Sequence, residues 1–325
     1  MAHFDLEKWL GTQCGLADFT VTPLAGDASF RRYFRVTCED RSLIAMDASA
    51  EKQSCVPFAA IAKTLQEAGV TAPSVLFKDM DKGFLLLTDL GNDLYRDVLT
   101  LQNADALYGR AIDVLLQMQQ RITQVKDLSL KQFDAKWMTD ELNLFKEWFL
   151  EKYLLLELSH KTQKMLANTF DFVANQSAMQ PIVFTHRDYH SANLMVLDNQ
   201  RVGVLDFQDA FMGPVTYDLV SLLRDCYIAW PEKCVEKWVS EFWQKQALPN
   251  VSHDQFVQWF DVMGMQRHLK ALLTFSRKCC RDGNESYLQH VPRTLHYVLS
   301  VSERYPECHA LNQFLTEQVI EKCAE

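Results

Sequence analysis

Asp188, Asn193 and Asp206 are the residues of this chain whose types and spacing could do chemistry. Asp188 stands in Thr185-His-Arg-Asp-Tyr-His190, and Asn193 follows it in the same loop. Asn193 to Leu197 is a short apolar run that reads as a strand. Asp198-Asn199-Gln200 reads as a turn, and Val202 to Leu205 as a second apolar strand ending at Asp206. Such a hairpin is expected to hold Asp188 and Asn193 at one end and return Asp206 to that same end. Carboxylate and amide oxygens gathered there suit Mg²⁺, a hard cation. A further carboxylate suits an attacking hydroxyl. Phosphoryl transfer from ATP needs that combination, because the γ-phosphoryl carries dispersed charge and catalysis is mostly positioning and neutralisation. Asp188 is therefore expected to orient the hydroxyl and accept its proton, and Asn193 and Asp206 to hold Mg²⁺. Asp and Asn also favour plain turns. A lone Asp–Asn pair would carry only that reading; the ordered loop, apolar hairpin and terminal Asp carry the catalytic one.

The elements that must position these residues follow from length and pattern. His186-Arg187-Asp188 with Asn193 is H-R-D-x-x-x-x-N, the catalytic-loop pattern of the protein-kinase-like fold. At 325 residues the chain can form two lobes, each with its own core. Its composition, 48% hydrophobic and 23% charged, is that of a soluble globular protein. A net charge of −9 gives no bulk attraction to nucleic acid or anionic membrane, so any phosphate site must be locally basic. Nine cysteines without a C-x-x-C pair point to a reduced, cytoplasmic protein without a zinc ribbon. Neither a signal peptide nor a membrane span is expected.

Residues 3–16 read as a helix, Phe19 to Leu24, Phe30 to Thr37 and Ser42 to Met46 as strands, and Phe58 to Ala68 as a helix that Gly69 closes. Between the first two strands, Gly26-Asp27-Ala28-Ser29 is a small-residue loop whose N–H groups are expected to cover the nucleotide phosphates. Ser74 to Lys78 reads as extended, and Phe84 to Thr88 as a buried strand leading into a hinge. There the backbone of Thr88, Asp89 and Leu90 is expected to meet an adenine edge. Helices are expected over 92–99, 103–122, 136–155, 159–176, 215–230, 232–247, 253–280, 284–301 and 306–323, with Gly213-Pro214 as a break. The aromatic stripe of residues 136–155 keeps helical spacing and reads as core. The fold class is α+β: a protein-kinase-like two-lobe fold, with a small β-rich nucleotide-binding lobe over 1–90 and a large mostly helical lobe over 91–325.

His186-x-Asp188-x-His190-x-x-Asn193, Leu205-Asp206-Phe207, Tyr217-Asp218-Leu219 and the hinge Leu85-Leu-Leu-Thr-Asp-Leu-Gly91 resemble the aminoglycoside phosphotransferase and choline kinase family over roughly residues 20–300. That resemblance implies Asp188 as catalytic base, Asn193 and Asp206 as Mg²⁺ ligands, and Asp218 as a structural brace of the loop. Narrower stretches, Leu24-Ala-Gly-Asp-Ala-Ser-Phe-Arg-Arg-Tyr-Phe-Arg35, Ala45-Met-Asp-Ala48, Phe84-Leu-Leu-Leu-Thr-Asp-Leu-Gly91 and Leu205-Asp-Phe-Gln-Asp-Ala210, look like bacterial anomeric sugar kinases. Those enzymes phosphorylate N-acetylmuramate and N-acetylglucosamine at C1 in cell-wall recycling. The implied partner is a small amino sugar, and the implied cofactors are ATP and Mg²⁺. One departure stands out. The third strand, Leu43-Ile-Ala-Met-Asp47, has no Lys to grip the phosphates. Either Arg31 and Arg32 supply that charge or nucleotide binding is weaker.

Gln208, Asp209, Arg224 and Tyr227 are candidate substrate residues. Arg224 reads equally as a surface ion pair. His190 is expected to touch the γ-phosphate or to buttress the loop, and His186 to be structural. A protein kinase needs a long activation segment ending in Ala-Pro-Glu; here Asp218 follows Asp206 too closely and no Ala-Pro-Glu occurs. The remaining alternatives are an aminoglycoside or other hydroxyl-metabolite phosphotransferase, and a pseudokinase or nucleotide-binding module.

Overall fold

A computed structural model describes residues 2–24, 30–39 and 41–324. In chain order, α1 (Ala2–Thr12) precedes three strands, β1 (Thr20–Pro23), β2 (Arg32–Thr37) and β3 (Ser42–Asp47). Then come α2 (Cys55–Glu67), β4 (Val75–Asp79), β5 (Phe84–Thr88), α3 (Tyr95–Val98) and α4 (Ala104–Arg121). Next are α5 (Ala135–Phe145), which runs on as a π-helix to Tyr153, and α6 (His160–Ala178). The motif region holds β6 (Ile182–Thr185), β7 (Leu194–Val196), β8 (Val202–Val204), β9 (Phe211–Pro214) and α7 (Tyr217–Leu223). The chain ends with α8 (Glu232–Gln246), α9 (His253–Asp282), α10 (Val291–Arg304), α11 (His309–Phe314) and α12 (Ile320–Ala324). An N-terminal antiparallel sheet followed by a mostly helical remainder is the α+β class expected. No helix among the described residues is long and apolar enough to cross a membrane.

Two compact units emerge: one is Met1–Leu130 with Asn193–Ala210, the other Lys131–Ala192 with Phe211–Glu325. In the first, the strands lie in the order β1-β2-β3-β5-β4, all antiparallel. Leu6, Trp9 and Leu10 of α1 pack on Phe34, Ala45 and Leu86 of the sheet in one buried cluster. Burying such side chains stabilises by roughly 1.5–3 kcal/mol each, and it explains why this helix forms beside the sheet. α2 stops at Gly69, whose φ of +82° suits a residue without Cβ. The Val70 N–H reaches the Leu65 carbonyl at 2.9 Å and the Gly69 N–H the Gln66 carbonyl at 2.9 Å, which is a Schellman closure.

In the second unit the aromatic stripe is core, as expected: Phe145, Phe149 and Leu150 are buried with Leu269, Leu272 and Val298. Two local expectations are corrected. Gly213-Pro214 is not a break but the end of β9, which pairs antiparallel with β6. Gly213 is required there, since a Cβ would sit 2.4 Å from the Phe211 ring. The helix expected over 215–230 is confined to Tyr217–Leu223. Arg224 leaves helical geometry to bond Asp261 and Glu232, and Asp225 turns back to Ser191. Tertiary bonds override the helical pattern at that point.

Candidate active site

The loop that follows β6 in the second unit is shaped by one carboxylate. Beyond β6, the N–H groups of His186 and Arg187 donate to the two oxygens of Asp218, at 2.6 and 3.0 Å. His186 is buried, and its Nδ1 accepts the Asp188 N–H at 3.3 Å. The turn puts Arg187 at a φ of +85°, in the left-handed region. Asp218 is buried in the first turn of α7. Burial pushes its carboxyl up to about 7, against the pull of the His186 N–H, Arg267 and the Arg187 N–H. The folded chain then holds a proton there that the unfolded chain releases near pH 4. This group's stabilising contribution is full at low pH and declines as pH rises through about 7. Asp218→Ala takes the carboxylate from the buried His186 N–H and the part-buried Arg187 N–H, at roughly 1–3 kcal/mol each. Denaturant titration is expected to show a loss of about 2–6 kcal/mol, and Asp218→Asn to flatten the stability–pH slope between 4 and 7. A wild-type midpoint in Asp218→Ala would remove the brace from the account.

Asp188 faces cations that the sequence reading missed. On α9, Arg267 Nη1 and Lys270 Nζ lie 3.9 and 3.8 Å from Asp188 Oδ1. Burial works to raise the Asp188 pKa, but Lys270, Arg267, His190 and Arg187 outweigh it and hold the carboxyl well below the usual carboxylate range. A sequence signal did exist: two bases spaced i, i+3 in a helix otherwise buried around Met263, Leu269 and Leu272. Asp225 was missed too; it accepts from the Ser191 N–H at 3.0 Å and from the Ser191 hydroxyl at 2.5 Å. His190 stands edge-on to Tyr227 at 5.3 Å, and Tyr227 edge-on to His290 at 4.8 Å. Tyr227 and His190 are thus together in the loop region. Arg224, only 6% exposed, is bound to Asp261 at 2.9 Å and Glu232 at 2.8 Å. That network assigns it to bracing and leaves its guanidinium committed.

The hairpin of the first unit forms as read, β7 against β8 in register Leu194–Val204. The Leu205 N–H donates to the Asn193 carbonyl at 2.9 Å, so Asn193 and the Leu205-Asp206 step are neighbours. Asp206 takes a φ of +58° and keeps its side chain 47% exposed. Gln208 Nε2 donates to Asp206 at 2.9 Å and to Asp209 at 3.1 Å. An Asp carboxylate and an Asn amide on neighbouring stretches of backbone are hard oxygen donors of the kind Mg²⁺ takes, alongside water and phosphate oxygens.

The two arginines named for the missing Lys part company here. Arg32 is ion-paired to buried Asp47, its cross-strand partner in the β2–β3 register. That pairing gives Asp47 its role. Arg31 is 12% exposed, with Nη2 3.6 Å from Asp206 Oδ1. It lines a cavity of about 290 Å³ with Glu51, Ser54, Gln208 and Asp209. Arg31 therefore faces Asp206 and the cavity, while Arg32 does not. The loop Gly26, Asp27, Ala28 and Ser29 lies outside the described residues. At the hinge, the Thr88 N–H donates to the Ser74 carbonyl at 3.0 Å. Asp89 is fixed by Arg35 at 2.8 Å, the Ser42 hydroxyl at 2.5 Å and the Gly91 N–H at 2.9 Å. The adenine expectation therefore rests on the backbone of Asp89 and Leu90.

Comparison with known proteins agrees with this layout. A family model described as a phosphotransferase enzyme family matches residues 20–250. An N-acetylmuramate/N-acetylglucosamine kinase of Pseudomonas aeruginosa is 41% identical over 297 residues, 90% of this chain and 87% of that protein. A kinase of the same name from Neisseria meningitidis is 40% identical over 97% of this chain and 95% of its own length. Among solved structures, choline kinase LicA from Streptococcus pneumoniae superposes with a TM-score of 0.66 at 12% identity, covering 92% of this chain and 99% of that one. The ADP-bound aminoglycoside phosphotransferase APH(2'')-Ib does so with a TM-score of 0.61 at 14% identity, covering 90% and 97%. These likenesses give the protein-kinase-like fold. By the span of the family match and the identity of its relatives, the chain belongs to the phosphotransferase enzyme family.

Proposed function

We propose that this phosphotransferase uses ATP to phosphorylate the anomeric hydroxyl of N-acetylmuramate, N-acetylglucosamine or both, forming the sugar 1-phosphate for cell-wall recycling in the cytoplasm. The observation that carries the reading is the Asp188 carboxylate held ionised by Lys270 and Arg267. A carboxylate so stabilised is a weak base. It can orient a hydroxyl and take its proton late, and it suits an acceptor that is itself acidic. The anomeric hydroxyl of a sugar is more acidic than its other hydroxyls. The name carried by relatives at about 40% identity supports the same acceptor.

In this reading Asp188 orients the acceptor, and Asn193 and Asp206 hold Mg²⁺. When bound, the ion supplies neutralisation of the phosphate charge. Arg31 grips the phosphates, the 26–29 loop covers them, and the backbone after Thr88 binds the base. His190 and Tyr227 border the acceptor, and Gln208 holds Asp206 and Asp209 in place. An aminoglycoside acceptor is disfavoured because its ammonium groups would meet Lys270 and Arg267. An ADP-release assay across N-acetylmuramate, N-acetylglucosamine, kanamycin and choline tests the choice. Turnover of the two sugars is expected, and turnover of kanamycin alone would overturn it.

A further inference from the structure

We propose that Lys270 and Arg267 recognise a carboxylate on the acceptor, so that this site prefers an amino sugar bearing an acidic substituent to its neutral counterpart. The inference rests on the sugar-kinase reading and adds to it a specificity determinant on α9. The geometry comes first. An acceptor hydroxyl that reaches Asp188 Oδ1 comes within a few ångströms of both cations, which stand 3.8 and 3.9 Å from that oxygen. Asp188 keeps 33% of its side chain exposed, Lys270 15% and Arg267 12%. The three form a partly desolvated patch that a ligand can still reach.

The charge balance comes second. Arg187 and His190 add to the positive field at Asp188. On the acidic side, Asp218 is engaged by the backbone N–H groups of His186 and Arg187, and Asp225 by Ser191 and the Tyr227 N–H. Glu141, which packs against α9, accepts from Gln266. Among the described residues the one carboxylate in ion-pair range of Lys270 is Asp188, and Arg267 shares it. Two cations therefore share the Asp188 carboxylate, with Arg267 also bearing on Asp218, in a patch that a ligand can reach. Lys270, paired only loosely at 3.8 Å, keeps charge to offer a further anion.

The two cations differ in freedom. Arg267 is anchored by a hydrogen bond to Ser221 and by the Tyr217 ring, 5.3 Å beneath its guanidinium. Lys270 has a flexible stem and can swing from Asp188 to a ligand carboxylate. Arg267 then stays to hold Asp188. Of the two sugars in the proposed function, N-acetylmuramate carries such a carboxylate and N-acetylglucosamine does not.

The test compares N-acetylmuramate, its carboxyl methyl ester and N-acetylglucosamine as acceptors for wild type, Lys270→Met and Lys270→Arg. Wild type is expected to show kcat/KM about ten- to a hundred-fold higher for the free acid than for the ester, the scale of a charge-assisted hydrogen bond. Lys270→Met is expected to lose most of that preference, chiefly through KM for the acid, and Lys270→Arg to recover part of it. A lysine that merely positions Asp188 would lower turnover of all three acceptors by one factor and leave the ratios unchanged, which overturns the inference. Equal use of acid and ester by wild type overturns it without any variant. Wild type that phosphorylates the sugars but ignores the carboxylate leaves the kinase reading standing. Wild type that phosphorylates none of them removes both.

Discussion

Asp188→Asn is expected to lower kcat by about 10²–10⁴-fold, the range for removing a positioned proton acceptor, while ADP binding stays within a few-fold of wild type. The substitution keeps shape and removes the acceptor oxygen's charge. It also leaves Lys270 and Arg267 facing a neutral amide, so a lower melting temperature is expected alongside the kinetic loss. Water reaches a third of the Asp188 side chain, which keeps that second effect modest. The pH dependence has a definite sign. The folded carboxyl titrates far below its ordinary value of 3.8. Its stabilising contribution is therefore present above about pH 4 and disappears only as pH falls below that. In a kcat/KM profile, protonation of Asp188 should produce no acid limb between pH 5 and 8. Full activity in Asp188→Asn would contradict its assignment.

Asp206→Asn is the second large effect. Asn tolerates the left-handed φ of +58° found there, so the hairpin should fold as before. The change removes the only charge of the Asn193–Asp206 pair and the partner of Arg31 at 3.6 Å. Turnover is expected to fall by about 10²–10³-fold, the scale for one preorganised charge-stabilising group. The Mg²⁺ concentration for half-maximal rate should rise as well. In wild type, EDTA is expected to abolish turnover and excess Mg²⁺ to restore it. A rate indifferent to EDTA would exclude Asp206 as a ligand.

Much of the fold was legible because local signals agreed with tertiary demand. The β7–β8 hairpin was readable from two apolar runs about a polar turn. Gly69 was readable as a helix stop because its φ admits few other residues. Where tertiary bonds won, the pattern misled. The apolar stretch after Thr216 looks helical through Trp230, yet Arg224 and Asp225 leave the helix for Asp261 and Ser191. Gly213-Pro214 looks like a break, yet pairing with β6 makes it strand.

The candidate site divides along the same line. Asp188, Asn193 and Asp206 share one short motif, so a chemistry could be proposed for them from the sequence alone. Lys270 and Arg267 reach Asp188 from far along the chain; their i, i+3 spacing marks a basic spot on a buried helix but does not name Asp188 as its partner. Arg31 and Arg32 were indistinguishable as adjacent bases. Arg32, the first residue of β2, pairs with Asp47 across the strands, while Arg31, just before the strand, lies toward Asp206.

The central claim is phosphoryl transfer to an anomeric hydroxyl oriented by Asp188. ³¹P NMR of a reaction containing ATP, Mg²⁺ and N-acetylmuramate tests it most directly. The account predicts a new phosphate resonance split by the sugar's anomeric proton, formed with ADP in equal amount and absent with Asp188→Asn. A phosphate coupled to another ring position, or ADP accompanied only by inorganic phosphate, would contradict it.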